Sequence, residues 1–144
     1  MHELACRKIL GHRASEAFGA NPVQALSTGE ELGLLADVAG AVGLDGVEIH
    51  EELLKSGHRQ SPAHRHTRRI EIVYVLEGAP TVRLDGRDKI LRSGEFVVFR
   101  PEEKKYHNIR NDTDHSCRLI VISFNGENDS VLYEPEQYNL FKDE

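Results

Sequence analysis

His64-Arg65-His66-Thr67-Arg68-Arg69-Ile70-Glu71-Ile72-Val73-Tyr74-Val75-Leu76 contains two extended segments with a break between them. Side chains alternate across a strand, so His64 and His66 project from the same side. From Ile70 to Leu76 the β-branched and aromatic residues favour a strand. Parity constrains the join. His64 and His66 are even-numbered and Glu71 is odd, so in one unbroken strand the imidazoles and the carboxylate would face opposite sides. For the three to converge, the chain must turn or bulge within Thr67-Arg68-Arg69, and bulges commonly lie next to active sites, where they re-aim a side chain. With that break, Glu71, Val73 and Val75 share an inner face, and Ile72 and Tyr74 take the outer one. Imidazole and carboxylate donors converging on one point suit Zn, Cu, Fe, Ni or Mn. A polar loop with two histidines beside an ordinary surface Glu is the competing reading of these residues alone.

The surrounding text is also β. Val47, Ile49, Glu51 and Leu53 alternate with Glu48, His50, Glu52 and Leu54, and the run ends at Ser56-Gly57. His50 is read as a half-exposed strand residue outside the metal set. Beyond Gly78-Ala79-Pro80, Thr81-Val82-Arg83-Leu84 alternates, and Asp85-Gly86 is a strong hairpin signal. Lys89-Ile90-Leu91 returns, Ser93-Gly94 turns, and Phe96-Val97-Val98-Phe99 is a buried-strand candidate closed by Pro101. Tyr106 to Arg110 and Leu119 to Phe124 are further strands, separated by the turn Asn111-Asp112-Thr113-Asp114. Short strands at regular spacing predict an all-β sandwich or barrel. Closing the barrel makes His107, remote in sequence, a neighbour of the histidine segment. Glu30-Glu31-Leu32-Gly33-Leu34-Leu35-Ala36 predicts a turn or two of helix, interrupted by Gly40, Gly43 and Gly46, since Gly costs about 1 kcal/mol in a helix interior. These glycines lack the GxGxxG order of a dinucleotide site. Val131 to Pro135 is expected to add a short strand or a packing tail. The division is thus residues 1–46 as an N-terminal extension of the same unit, 47–124 as the barrel and 125–144 as a tail.

Composition narrows the function classes. A hydrophobic fraction of 39% and a charged fraction of 29% fit an ordinary globular chain, and 144 residues make one domain the simplest reading. A formal net charge of −6 argues against general affinity for nucleic acid. The basic stretch from His58-Arg59 through Arg65, Arg68 and Arg69 is read instead as a charged rim around a pocket, able to steer an anionic small molecule. No apolar run reaches the roughly 18 residues a spanning helix needs, so no membrane role is expected. The N-terminus lacks the features of a signal peptide, which points to a cytoplasmic protein. Asn111-Asp112-Thr113 and Asn128-Asp129-Ser130 spell glycosylation acceptors, which matter only in a secreted chain and are set aside. Cys6 and Cys117 have no ligand-like spacing, and both are expected to be reduced, Cys117 as a buried structural thiol.

The string His64-x-His66-x(4)-Glu71-x(6)-Gly78 resembles the first motif of the cupins, small double-stranded β-helix (jelly-roll) proteins. Gly94, Pro101, His107 and Asn111 resemble the second, and the Asp85-Gly86 hairpin lies between them. The likeness covers about residues 47–124. The spacings Gly57 to His64 and Gly94 to Pro101 are each one residue longer than usual, Glu103 stands where a glycine is usual, and the loop to His107 is one residue longer. That implies a different local turn ahead of His107. The resemblance implies a cupin barrel in which His64, His66, Glu71 and His107 hold one divalent metal ion (Fe, Mn, Ni, Zn or Cu), with a small-molecule ligand in the barrel pocket. It also implies a homodimer, which free sheet edges favour.

Three neutral donors and one carboxylate leave open positions on an octahedral ion, the mark of a catalytic site rather than a closed structural one. The expectation is a small metal-dependent enzyme, of oxygenase or isomerase type, acting on a polar and potentially anionic metabolite. The alternative is a non-catalytic sugar- or metabolite-binding or sensing module using the same pocket. No second acid or base is assigned: Tyr74 faces outward, parity turns Tyr106 from the ligand face, and Arg65 and Arg100 are rim residues.

Overall fold

In a computed structural model, which describes residues 21–24 and 30–135, the chain forms two antiparallel sheets. The strands are β1 (Asn21–Gln24), β2 (Glu31–Asp37), β3 (Val47–Leu54), β4 (His64–His66), β5 (Ile70–Glu77), β6 (Thr81–Leu84), β7 (Arg87–Ile90), β8 (Phe96–Phe99), β9 (His107–Arg110), β10 (Cys117–Phe124) and β11 (Val131–Tyr133). One sheet runs β1-β2-β3-β10-β5-β8 and the other β11-β4-β9-β6-β7. This is the two-layer jelly-roll arrangement that the strand spacing predicts.

The alternation in sequence becomes burial in the structure. Along β10, Cys117, Leu119, Val121 and Ser123 are buried while Arg118, Ile120 and Ile122 are less so. Directly paired residues of an antiparallel ladder share a face, so β10 sorts its neighbours. Val75, Val73 and Glu71 of β5 lie opposite Leu119, Val121 and Ser123. Leu54, Glu52, His50 and Glu48 of β3 lie opposite Cys117, Leu119, Val121 and Ser123. The core joins both sheets through Leu54, Val73, Val75, Val82, Leu91, Phe99, Ile109, Leu119 and Val121, each full burial contributing about 1.5–3 kcal/mol. Tyr74, on the outer face of β5, is exposed.

The turns follow the residues that permit them. Asp85 and Gly86 both take positive φ, 48° and 76°, as a two-residue hairpin between β6 and β7 demands. At Gly78 φ is +92°, and a Cβ there would lie 2.6 Å from Cys117 Sγ; only glycine fits where β5 ends against β10. The lengthened loop before His107 is taken up by a 3₁₀ turn at Pro101–Glu103, ended by Lys104 in the left-handed region at φ 55°.

The helix expected over Glu30–Ala36 is instead β2. Leu, Ala and Glu favour helix intrinsically, but Leu34 to Asp37 pair with Leu53 to His50 of β3, and Leu32 and Ala36 become buried. Tertiary pairing outweighs the local preference. A short helix follows β2, the four-residue α1 (Val38–Ala41), where the Asp37 side chain accepts from Gly40 N at 2.9 Å. Beyond residue 124, β11 pairs with β4, Val131 opposite His66 and Tyr133 opposite His64. Cys117 is a free buried thiol; Cys6 lies outside the described residues. No helix among the described residues is long and apolar enough to cross a membrane.

Candidate metal centre

The break that parity requires is present: β4 stops at His66, β5 starts at Ile70, and Thr67-Arg68-Arg69 lies between them outside either strand. Across it, His64 and His66 in one sheet meet Glu71 in the other. His107 joins from β9, directly opposite His64 in the ladder.

The three imidazoles converge on one oxygen. Glu71 Oε1 lies 2.8 Å from His66 Nε2, 3.2 Å from His107 Nε2 and 3.6 Å from His64 Nε2. The ligand atoms of His64, His66 and Glu71 all lie within 4.8 Å of one another, a group able to hold a metal ion. His107 stands outside that mutual group and approaches through Glu71. Its ring stacks on Phe99 with centroids 3.7 Å apart and planes 4° from parallel, which holds the imidazole at a fixed tilt. His50 is on the inner face of β3 but is not part of the group; its Nε2 is 3.7 Å from Glu48.

The donor chemistry fits a cation. His64 Nδ1 is 2.8 Å from the Pro62 carbonyl, which can only accept, so the neutral ring carries its proton there and turns the Nε2 lone pair inward. His66 Nε2 is buried and, although close to Glu71, has no hydrogen-bond partner among the described residues. Lone pairs facing a carboxylate oxygen repel one another unless a positive charge lies between them, and a divalent ion supplies that charge.

Electrostatics agree. Burial alone would raise the Glu71 carboxyl, but the surrounding His107, His64 and His66 outweigh it and hold the group far below the usual carboxylate range. Burial lowers His107, with Glu71 only partly opposing. At His66 burial also lowers, but Glu71 and Asp129 reverse the sign and the ring is raised. Asp129 is the residue that sequence reasoning missed. Its Oδ2 is 2.7 Å from His66 Nδ1 and its Oδ1 accepts from Arg68 N and Arg69 N at 2.8 and 3.0 Å. Those backbone donors, with His66, overcome burial and bring its carboxyl down to about 2. The only signal in the chain was an acid in the turn Asn128-Asp129-Ser130 ahead of a short strand.

A second acid was also missed. Glu52 sits on the inner face of β3, opposite buried Leu119, and is itself buried. Burial pushes its carboxyl up to about 7, against a hydrogen bond from Gln60, and the negative Glu71 adds to the rise. Its Oε2 has no hydrogen-bond partner among the described residues.

The rim is basic. Arg65, Arg69, Arg100 and Lys105 line a small cavity of about 10 Å³ beside His66 and His107. Arg69 is tied to Glu48 at 3.1 Å and Arg100 lies 3.8 Å from Glu103. Arg65 lies over the Tyr106 ring, 5.4 Å from its centroid.

The cupin-domain family profile matches residues 50–123, slightly more than half of the chain. This chain belongs to the cupin family. Among solved structures, a candidate sugar phosphate isomerase from Acidithiobacillus ferrooxidans is 28% identical, with a TM-score of 0.80 over 92% of this cupin and 84% of that chain. A sugar phosphate isomerase of the cupin superfamily from Silicibacter pomeroyi is 22% identical, with a TM-score of 0.68 over 71% of this chain and 65% of that one. A predicted oxalate decarboxylase from Thermotoga maritima is 18% identical, with a TM-score of 0.66 over 81% of this chain and 99% of that one. The last two likenesses speak to the fold. Comparison with curated proteins finds no match.

Proposed function

We propose that this cupin holds one divalent metal ion on His64, His66, Glu71 and His107 and interconverts the aldehyde and ketone forms of a small phosphorylated sugar. The observation that carries the substrate class is the rim: three guanidinium groups, Arg65, Arg69 and Arg100, with Lys105, line the cavity beside the imidazoles. The planar fork of an arginine binds two oxygens of a phosphate at once, and in a chain of net charge −6 the basic mouth is a local attraction for an anion. The 28% identity to the Acidithiobacillus protein, described as a candidate sugar phosphate isomerase, supports the same reading.

When bound, the ion polarises the sugar carbonyl and neighbouring hydroxyl oxygen. The chain supplies the rest. His64, through Pro62, and His107, through Phe99, keep their rings oriented. We assign the proton transfer to Glu52, which feels the negative charge of Glu71 and has a carboxyl brought to about 7, in the range that favours general acid–base work. It takes a proton from the carbon beside the carbonyl and returns it to the former carbonyl carbon, while the hydroxyl proton moves to the other oxygen. Nothing is added or lost, so no co-substrate is needed.

The test is elemental analysis of protein purified without a chelating tag, followed by NMR of phosphorylated aldoses with Mn-, Fe-, Ni- or Zn-loaded protein. Expected are about one ion per chain and aldose–ketose interconversion that Glu52→Gln abolishes. A metal-loaded protein that binds the sugars without converting any would overturn catalysis in favour of a binding module. Equal metal content in wild type and a His64→Ala/His107→Ala variant would overturn the site.

A further inference from the structure

Two of the four proposed ligands depend on a carboxylate from a different part of the chain. Asp129, in the turn between β10 and β11, is half-buried, with a side chain 6% exposed. One of its oxygens, Oδ1, accepts the backbone N–H groups of Arg68 and Arg69 and the Thr67 hydroxyl at 3.4 Å. Thr67 and Ser130 close the same joint, Thr67 N donating to Ser130 O at 3.0 Å and Ser130 N to Thr67 Oγ1 at 2.8 Å. This is the segment that must break if Glu71 is to face the histidines. The other oxygen, Oδ2, is 2.7 Å from His66 Nδ1. A carboxylate that accepts from two backbone amides is ionised, and an ionised carboxylate can only accept. The proton of a neutral His66 therefore sits on Nδ1, and its Nε2 lone pair points toward Glu71.

We infer that Asp129 is the positioning residue of the metal centre: it sets the tautomer of His66 and holds the Thr67–Arg69 break that brings Glu71 to the histidines. Resting on the proposed metal site, this assigns to a residue outside the motif-bearing strands control of two ligands. Carboxylate partners of metal-bound histidines raise ligand basicity and fix ring orientation.

The test compares metal affinity, by competition with a chromophoric chelator, in five proteins. Asp129→Asn keeps an oxygen for the backbone amides but presents an NH₂ group to His66 Nδ1, and is expected to weaken binding about 10–100-fold. In a His66→Ala background the same change is expected to cost no further affinity. Thr67→Val cuts the joint without touching the His66 contact, and is expected to weaken binding by less than Asp129→Asn; affinity at the wild-type value would overturn the role of the joint in placing Glu71. Independently, long-range ¹H–¹⁵N NMR of the metal-free wild type at pH 9 should find His66 as the Nδ1–H tautomer. An Asp129→Asn protein that binds as tightly as wild type overturns this inference alone. A wild type that binds no metal overturns the metal reading and the inference with it. Should Asp129→Asn fail to fold, the tautomer decides: a proton on Nε2 refutes the role.

Discussion

Replacing Glu52 by Gln removes a carboxyl that the fold keeps protonated where a free one ionises. In the folded chain the group is displaced from 4.5 to about 7, first by burial and further by the negative Glu71. Below pH 4.5 the group is protonated in folded and unfolded chains alike, and its bound proton contributes fully. Between 4.5 and about 7 the unfolded chain releases the proton while the folded chain retains it, so stability falls with rising pH by up to about 1.4 kcal/mol per unit. Above the folded value both states are ionised and the loss is complete, about 3 kcal/mol over the window. Gln has no proton to lose and can still meet Gln60. Urea denaturation of chelator-treated protein at intervals from pH 4.5 to 8.5 would measure both profiles. The other titrating groups, His66 and His107 among them, are common to both proteins, so the difference isolates Glu52. The variant should gain on wild type by about 3 kcal/mol across the range. Parallel profiles would show that Glu52 ionises as an ordinary surface carboxylate, and both the burial argument and its role as proton carrier would fall.

Chelation should lower stability by about 3 kcal/mol relative to protein held at a hundredfold excess of metal over Kd; an unchanged Tm in differential scanning fluorimetry would count against a bound ion. Gly78→Ala places a Cβ against Cys117 at φ +92° and should cost about 2–4 kcal/mol in denaturant titrations; a neutral result would mean that β5 and β10 separate easily there. Asn111→Ala deprives the buried Leu54 carbonyl of its 2.9 Å donor and Thr113 N of its acceptor, with an expected loss of about 2 kcal/mol and no change in metal affinity at the site.

Much of this was legible from residue order. The bounds of β3, the Asp85-Gly86 hairpin and the break before Ile70 all follow from alternation and turn chemistry, because in a two-layer β fold burial on one face dictates a period of two. The family resemblance pointed to His107, which the ladder sets opposite His64. Three things were not legible. The segment at Leu32-Gly33-Leu34-Leu35-Ala36 has helical propensity, and nothing local reveals that β3 offers it an edge. Asp129 is separated from His66 by 63 positions and sits among turn residues, where an Asp is ordinary; only the pairing of β11 with β4 brings it inward. Glu52 escaped notice because an alternating strand usually keeps its acids outside, and the side of β3 that faces inward is decided by its register with β10.

Strand β10 occupies the middle of its sheet, with β3 on one side and β5 on the other. It is also the last of that sheet's strands in chain order. As the polypeptide leaves the ribosome, β1-β2-β3 and β5-β8 are two fragments with nothing to join them until Cys117–Phe124 emerges. Loop closure over such spans is slow, and the unpaired edges of β3 and β5 are then exposed together. That sheet therefore closes only once β10 has emerged, and a nascent chain stalled before residue 117 leaves both edges open to aggregation.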